Sequence, residues 1–180
     1  HPDAIRLLRQ SLRLIDDGLR NDPEANRIFL SLVSAKTNPE NSLRRMNEAG
    51  VLGRFLPDFG HVVAMMQFNM YHHYTVDEHL LRTVGELARI EHGSNADELP
   101  LSTQIIKSIQ SRRALYVAAF LHDIGKGRPE DHSILGGQIA RRLCPRLGLS
   151  AAETETVVWL IEQHLTMSNI AQSRDLSDHK

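Results

Sequence analysis

The stretch Leu115-Tyr116-Val117-Ala118-Ala119-Phe120-Leu121-His122-Asp123-Ile124-Gly125-Lys126 decides the fold and points to the chemistry. An almost wholly apolar run ends abruptly in His122-Asp123 and is followed by Gly125-Lys126. It falls short of the roughly 20 apolar residues needed to span a bilayer, so it reads as a buried helix from about Arg113 to His122. A carboxylate at the C-terminal end of such a helix is badly placed. The macrodipole is negative there, and a buried unpaired charge is costly. Positive charge is therefore expected beside Asp123, and a divalent metal is the natural candidate. Its other ligands must come from elsewhere in the chain.

Working outward, the punctuation is helical throughout. Pro2 is expected to start a helix reaching about Arg20, with Ile5, Leu8, Leu12, Ile15 and Leu19 on one face. Asp22-Pro23 restarts a helix to about Ala35, and Asn38-Pro39 another, which Gly50 should stop. Val51–Phe59 is short, apolar and ended by Pro57. Thr75 and Glu78 form a capping box for a helix to about Glu91. Ser94–Leu101 reads as a loop and Thr103–Gln110 as a short helix. Beyond the buried helix, Asp131 or Ser133 begins a helix to about Arg146, bent or ended by Pro145. Ser150 and Glu153 form a second capping box, for a helix reaching at least His164. With no alternating β pattern or repeat, the expected class is all-α. The division is a helical extension or linker region over residues 1–66 and a helical bundle over 67–180.

With 180 residues, the chain can hold one domain with a sizeable core, or one domain and an appendage. A net charge of −1 gives no general electrostatic case for binding nucleic acid or an anionic membrane. The single Cys144 excludes an internal disulfide and any multi-cysteine metal site, and it suits a reducing cytosol, so a cytoplasmic location is expected. The chain starts at His1 without an initiator Met and is expected to be a piece of a longer protein.

Helical wheels bring His79, His122, His132 and His164 to core-facing positions or their edges, each on a different helix and near its end. The apolar stripes beside them are Val76, Leu80, Val84 and Leu87; Leu135, Gly136, Ile139, Ala140 and Leu143; and Val157, Leu160 and Ile161. Any one such histidine is most simply a satisfied core residue. Several on separate helices, together with the His122-Asp123 pair, read as a metal site. Imidazole and carboxylate donors without thiolate suit Zn, Mn, Fe or Ni. Two ions sharing Asp123 could activate a water for attack on phosphorus. Asp175 is the expected further carboxylate ligand, with Asp178 as its rival. Lys126 is placed to neutralise a phosphate oxygen. His72-His73 read as a loop pair, and Arg112-Arg113 and Arg141-Arg142 as solvated helix faces.

His79, then His122-Asp123 with Gly125-Lys126, then a later Asp, resembles the HD superfamily of metal-dependent phosphohydrolases. The added His132 and His164 resemble its two-metal members. Longer strings are more specific. Gln67–His79, Gly127–Ser133, Arg141–Leu149 and Ala171–Asp178 look like the central domain of the bacterial bifunctional uridylyltransferase/uridylyl-removing enzymes, and the first 60 residues look like the segment before it. The resemblance implies a phosphodiesterase that removes UMP from a tyrosine of the nitrogen-regulatory PII protein. It implies His79, His122, Asp123 and Asp175 as ligands of a primary metal, with His132 and His164 serving a second, Mn or Mg being the functional ions. Asp123 and Lys126 would act in catalysis. Glutamine would be sensed by domains outside these residues. No nucleotidyltransferase signature is present, so transferase activity is not expected here. The alternatives are a nucleotide or cyclic-dinucleotide phosphohydrolase, for which the expected Gly-Tyr-Pro signature is missing, and a non-catalytic regulatory helical module.

Overall fold

Side-chain caps start several of the helices, and at Asp16 such a cap overrides the periodicity. The computed structural model describes residues 2–66 and 74–173, and all regular structure among them is helical. The long first helix is broken. Helix α1 (Pro2–Ser11) runs into a 3₁₀ turn (Leu12–Leu14), and α2 (Asp17–Asn21) starts afresh. Asp16 causes the restart, because its carboxylate accepts the Leu19 N–H at 2.9 Å and competes with the continuing helix. The expected stripe splits with it: Ile15 is buried, whereas Leu8 and Leu19 are exposed.

Asp22-Pro23 and Asn38-Pro39 do start α3 (Pro23–Val33) and α4 (Pro39–Glu48). The Asp22 and Asn38 side chains accept the N–H groups of Ala25 and Asn41, and each proline takes a position where an N–H would be orphaned anyway. For the same reason Pro57 does not end the next segment. It separates α5 (Val51–Phe55) from α6 (Pro57–Val62) and begins the second of them.

Helix α7 (Val76–His92) begins at Thr75, but the capping box does not form there, since Thr75 makes no side-chain capping bond. Glu78 is held instead by Arg44, from α4, and by Arg82 at 2.9 Å. The expected helix over Thr103–Gln110 lies earlier, as α8 (Pro100–Ile105) and a 3₁₀ turn (Ile106–Ser108). The buried helix is α9 (Arg112–Leu121), followed by α10 (His132–Leu147), α11 (Ala151–Glu162) and α12 (Thr166–Ser173). Pro145 lies in the last turn of α10 and does not end it. Gly148 does, at φ 90°, donating its N–H to the Pro145 carbonyl at 3.1 Å. Helix α11 stops two residues short of His164, and α12 is an element the sequence reading did not expect.

Helix α9 is the centre of the packing, against α7 and α11 and with α3 also in contact; α10 packs on α11 and α3. Ala114, Tyr116, Val117, Ala118, Phe120 and Leu121 are all buried, as an apolar helix without a polar face should be. Phe120 stacks on Phe59 at 5.2 Å between ring centroids and meets the edge of Phe29 at 5.8 Å, and Phe29 in turn contacts Phe55. These aromatic contacts draw the N-terminal helices into one continuous core with α9, each contributing about 0.5–1.5 kcal/mol beyond its buried area.

Of the arginines expected to be solvated, Arg112 is instead a half-buried structural tie. Arg112 donates to both Glu91 oxygens and to the carbonyls of Ser34 and Ala35, and lies over the Tyr116 ring at 4.3 Å. Arg113 is exposed as expected, and pairs with Glu153. Arg141 and Arg142 are exposed as expected, though each is paired, with Glu155 and Asp58.

The Ser150–Glu153 capping box is present in full, and Glu153 does more than cap. It also accepts from the Ser111 hydroxyl and the Arg113 guanidinium, joining the N-termini of α9 and α11. Hydrogen bonding from the Ser150 N–H, opposed by burial and aided by Ser111 and Arg113, lowers its pKa from 4.5 to about 2. A depressed folded-state pKa contributes stability above the unfolded value, and that contribution is lost as pH falls through the folded one. Glu153→Gln is therefore expected to cost about 1 kcal/mol at pH 7. The difference from wild type should shrink as pH falls from 4.5 towards about 2. Urea midpoints of both proteins across that range check it; a difference independent of pH would contradict it.

Candidate metal centre

The turn leaving α9 carries the chemistry. His122 closes the helix in αR conformation, and Ile124 and Lys126 donate their N–H groups back to the carbonyls of Leu121 and Asp123. This places Asp123 inward, 2% exposed. A β-carbon at Gly125 would collide with the His132 carbonyl, so glycine there lets the start of α10 close on the turn and bring His132 to Asp123. His79 comes from the first turn of α7 and His164 from just beyond α11.

The expected histidines do converge. His79 Nε2 and His122 Nε2 each lie 3.5 Å from Asp123 Oδ2, and 3.0 Å from each other. On the other oxygen, His164 Nε2 is 3.5 Å and His132 Nε2 3.7 Å from Asp123 Oδ1. One buried carboxylate thus stands between two imidazole pairs. His79, His122 and Asp123 form one group able to hold a metal ion, and Asp123, His132 and His164 another. Lys126 Nζ sits 2.7 Å from Asp123 Oδ2, within the centre. Asp175 and Asp178, as well as His72-His73, fall outside the described residues.

The donor chemistry fits a cation. The Nδ1 atoms of His122 and His164 contact the carbonyls of Ala119 and Ile161 at 2.9 and 2.6 Å. A carbonyl only accepts, so Nδ1 carries the proton, and in the neutral ring the Nε2 lone pair faces Asp123. Asp123 Oδ1 and His132 Nε2 are buried without a hydrogen-bond partner, which leaves unpaired donor atoms at the point where the rings converge. Burial opposes ionisation of Asp123, but His122, His164 and Lys126 hold its carboxyl far below the usual range. Burial also pushes the His132 imidazole down; at His164 burial is outweighed by Asp123 and the Ile161 carbonyl, which raise it.

Wheel positions did not reveal the groove beside the centre. Leu87 and Leu160, expected in the core stripes, are only half-buried. They line a cavity of about 460 Å³ between α7, α9 and α11 that reaches His122 and His164.

Residues 76–179 match the family model described as HD domain, which spans more than half of the sequence, and the chain belongs to that family. HD domains bind divalent metals. Residues 1–55 match a second model, described as uridylyltransferase GlnD third domain. The two together make this an HD domain of a GlnD-type enzyme and a GlnD-like HD phosphohydrolase. Among the described residues no helix is long and apolar enough to cross a membrane.

Proposed function

We propose that the chain is a metal-dependent phosphodiesterase that hydrolyses the UMP–tyrosine ester of uridylylated PII protein. One observation carries this reading: Asp123 lies between two imidazole pairs, in a chain whose N-terminal residues match a GlnD domain. Residues 67–180 form the hydrolase unit and residues 1–66 its extension. His79, His122, Asp123 and Asp175 would hold the primary ion, and His132 and His164, together with Asp123, would serve a second. When bound, divalent ions supply Lewis-acid charge to the phosphoryl oxygens and acidify water.

The chain's own residues prepare the site for that charge. The carbonyls of Ala119 and Ile161 fix the tautomers of His122 and His164. Lys126 helps keep Asp123 ionised and adds positive charge where negative charge builds on the phosphoryl group. Water adds to phosphorus and the bond to the phenolic oxygen breaks, giving UMP and tyrosine. A phenol with a pKa of about 10 leaves without a strong general acid.

Release of UMP from uridylylated PII is expected to require Mn or Mg and to fall at least ~100-fold with chelator. A panel with bis(p-nitrophenyl) phosphate and free nucleotides tests the substrate. Turnover of free nucleotides alone, or full deuridylylation by a His122→Ala, Asp123→Ala double variant, would overturn the proposal.

A further inference from the structure

The groove between α7, α9 and α11 is not used by the chemistry above, yet two of its walls are the imidazoles of His122 and His164. Those two rings belong to different metal-holding groups, one on each side of Asp123. A phosphoryl group spanning both groups would therefore lie at the edge of this groove.

The remaining walls decide which substituent fits. Leu87 and Ile90 from α7, Leu115 and Ala119 from α9, and Leu160 from α11 present half-buried apolar surface. The polar lining is already engaged. Thr83 gives its hydroxyl proton to the His79 carbonyl at 2.9 Å, and the Glu86 carboxylate accepts from Arg89 and Asn95. Among the described residues such a lining offers acceptors but no free side-chain donor. A pyrimidine would bury two carbonyl oxygens there without donors, at about 1–3 kcal/mol each. An esterified phenol has no polar atom apart from the oxygen bonded to phosphorus, and it gains from apolar walls.

We infer that this groove takes the aryl ring of the phosphodiester and leaves the nucleotide base outside it, an inference that rests on the hydrolytic reading of the centre. The groove then selects aryl over alkyl phosphate esters and orients the phenolic oxygen as the leaving group.

The test is methyl and imidazole NMR of the full chain with Mg²⁺, using 4-methylphenyl phosphate, UMP and inorganic phosphate as probes. The aryl phosphate is expected to shift the methyl signals of Leu87, Ile90, Leu115 and Leu160, while UMP and inorganic phosphate shift the histidine signals alone. Leu115→Asn, checked for folding by circular dichroism, is expected to weaken 4-methylphenyl phosphate about tenfold relative to inorganic phosphate, a change of about 1.4 kcal/mol. Methyl shifts caused by UMP in place of the aryl phosphate would overturn the inference. So would an aryl phosphate that moves the histidine signals and no methyl. Methyl shifts without any histidine response to inorganic phosphate would keep the groove and remove the hydrolytic reading.

Discussion

Asp123→Asn is expected to abolish metal-dependent hydrolysis, lowering the rate by at least ~10³-fold, and to remove the stabilisation that added Mn²⁺ gives the wild type. Both effects follow from the position of one side chain. Each oxygen of Asp123 faces a different pair of imidazoles, so losing its charge weakens both metal-holding groups at once. Free Mn²⁺ at a hundredfold excess over its dissociation constant would stabilise the wild type by about 2.7 kcal/mol. In a chain of this size that raises Tm by roughly 5–11 °C. Asparagine has nearly the same shape and still accepts from Lys126, so the variant should stay folded and show no rise. Thermal unfolding with and without Mn²⁺, beside the hydrolysis assay, checks both parts. A full Tm rise in the variant would show that Asp123 is not a ligand.

Arg112→Leu should produce the largest loss of stability, with little effect on catalysis at low temperature. Arg112 starts α9, while His122 lies ten residues on, about 15 Å along the helix axis. The guanidinium joins Glu91 of α7, Tyr116 and the carbonyls that end α3. Arg112 holds the Glu91 carboxyl below its usual range, against burial and with help from the Tyr116 hydroxyl. Removing the cation leaves Glu91 half-buried beside a single hydroxyl donor, at about 3–5 kcal/mol for a pair fully out of water. The side chains of Arg112 and Glu91 are 29% and 28% exposed, which favours the lower end, about 3 kcal/mol or roughly 6–12 °C in Tm. A change below about 1 kcal/mol would place Arg112 among ordinary surface pairs.

These two residues differ in how far they can be read from the chain. Asp123 stood out because a carboxylate ending an apolar helix is a local contradiction that needs a partner. The histidines stood out through their wheel positions, and the all-α class through Asx-Pro starts and 3.6-residue stripes. Arg112 looked like half of an exposed pair, because its partners lie 21 and 78 residues away in the chain. The same limit explains the Thr75 capping box. Its acidic residue had a better partner in Arg44, which only the packing of α4 on α7 supplies. The apolar stripe through Ile15 suggested one continuous helix, and the cap by which Asp16 restarts it shows only in the structure. Leu87 and Leu160 show the limit most plainly. A wheel gives the face a residue occupies and not the gap between three helices, so the groove beside His122 and His164 was invisible.

The most direct test of the central claim is an anomalous difference map from a crystal of this chain soaked in Mn²⁺. The account predicts density at Asp123, between its carboxylate and the His79–His122 pair, with a second peak towards His132 and His164 when the second ion is held. No peak within coordination distance of Asp123, at Mn²⁺ concentrations that support hydrolysis, would contradict it.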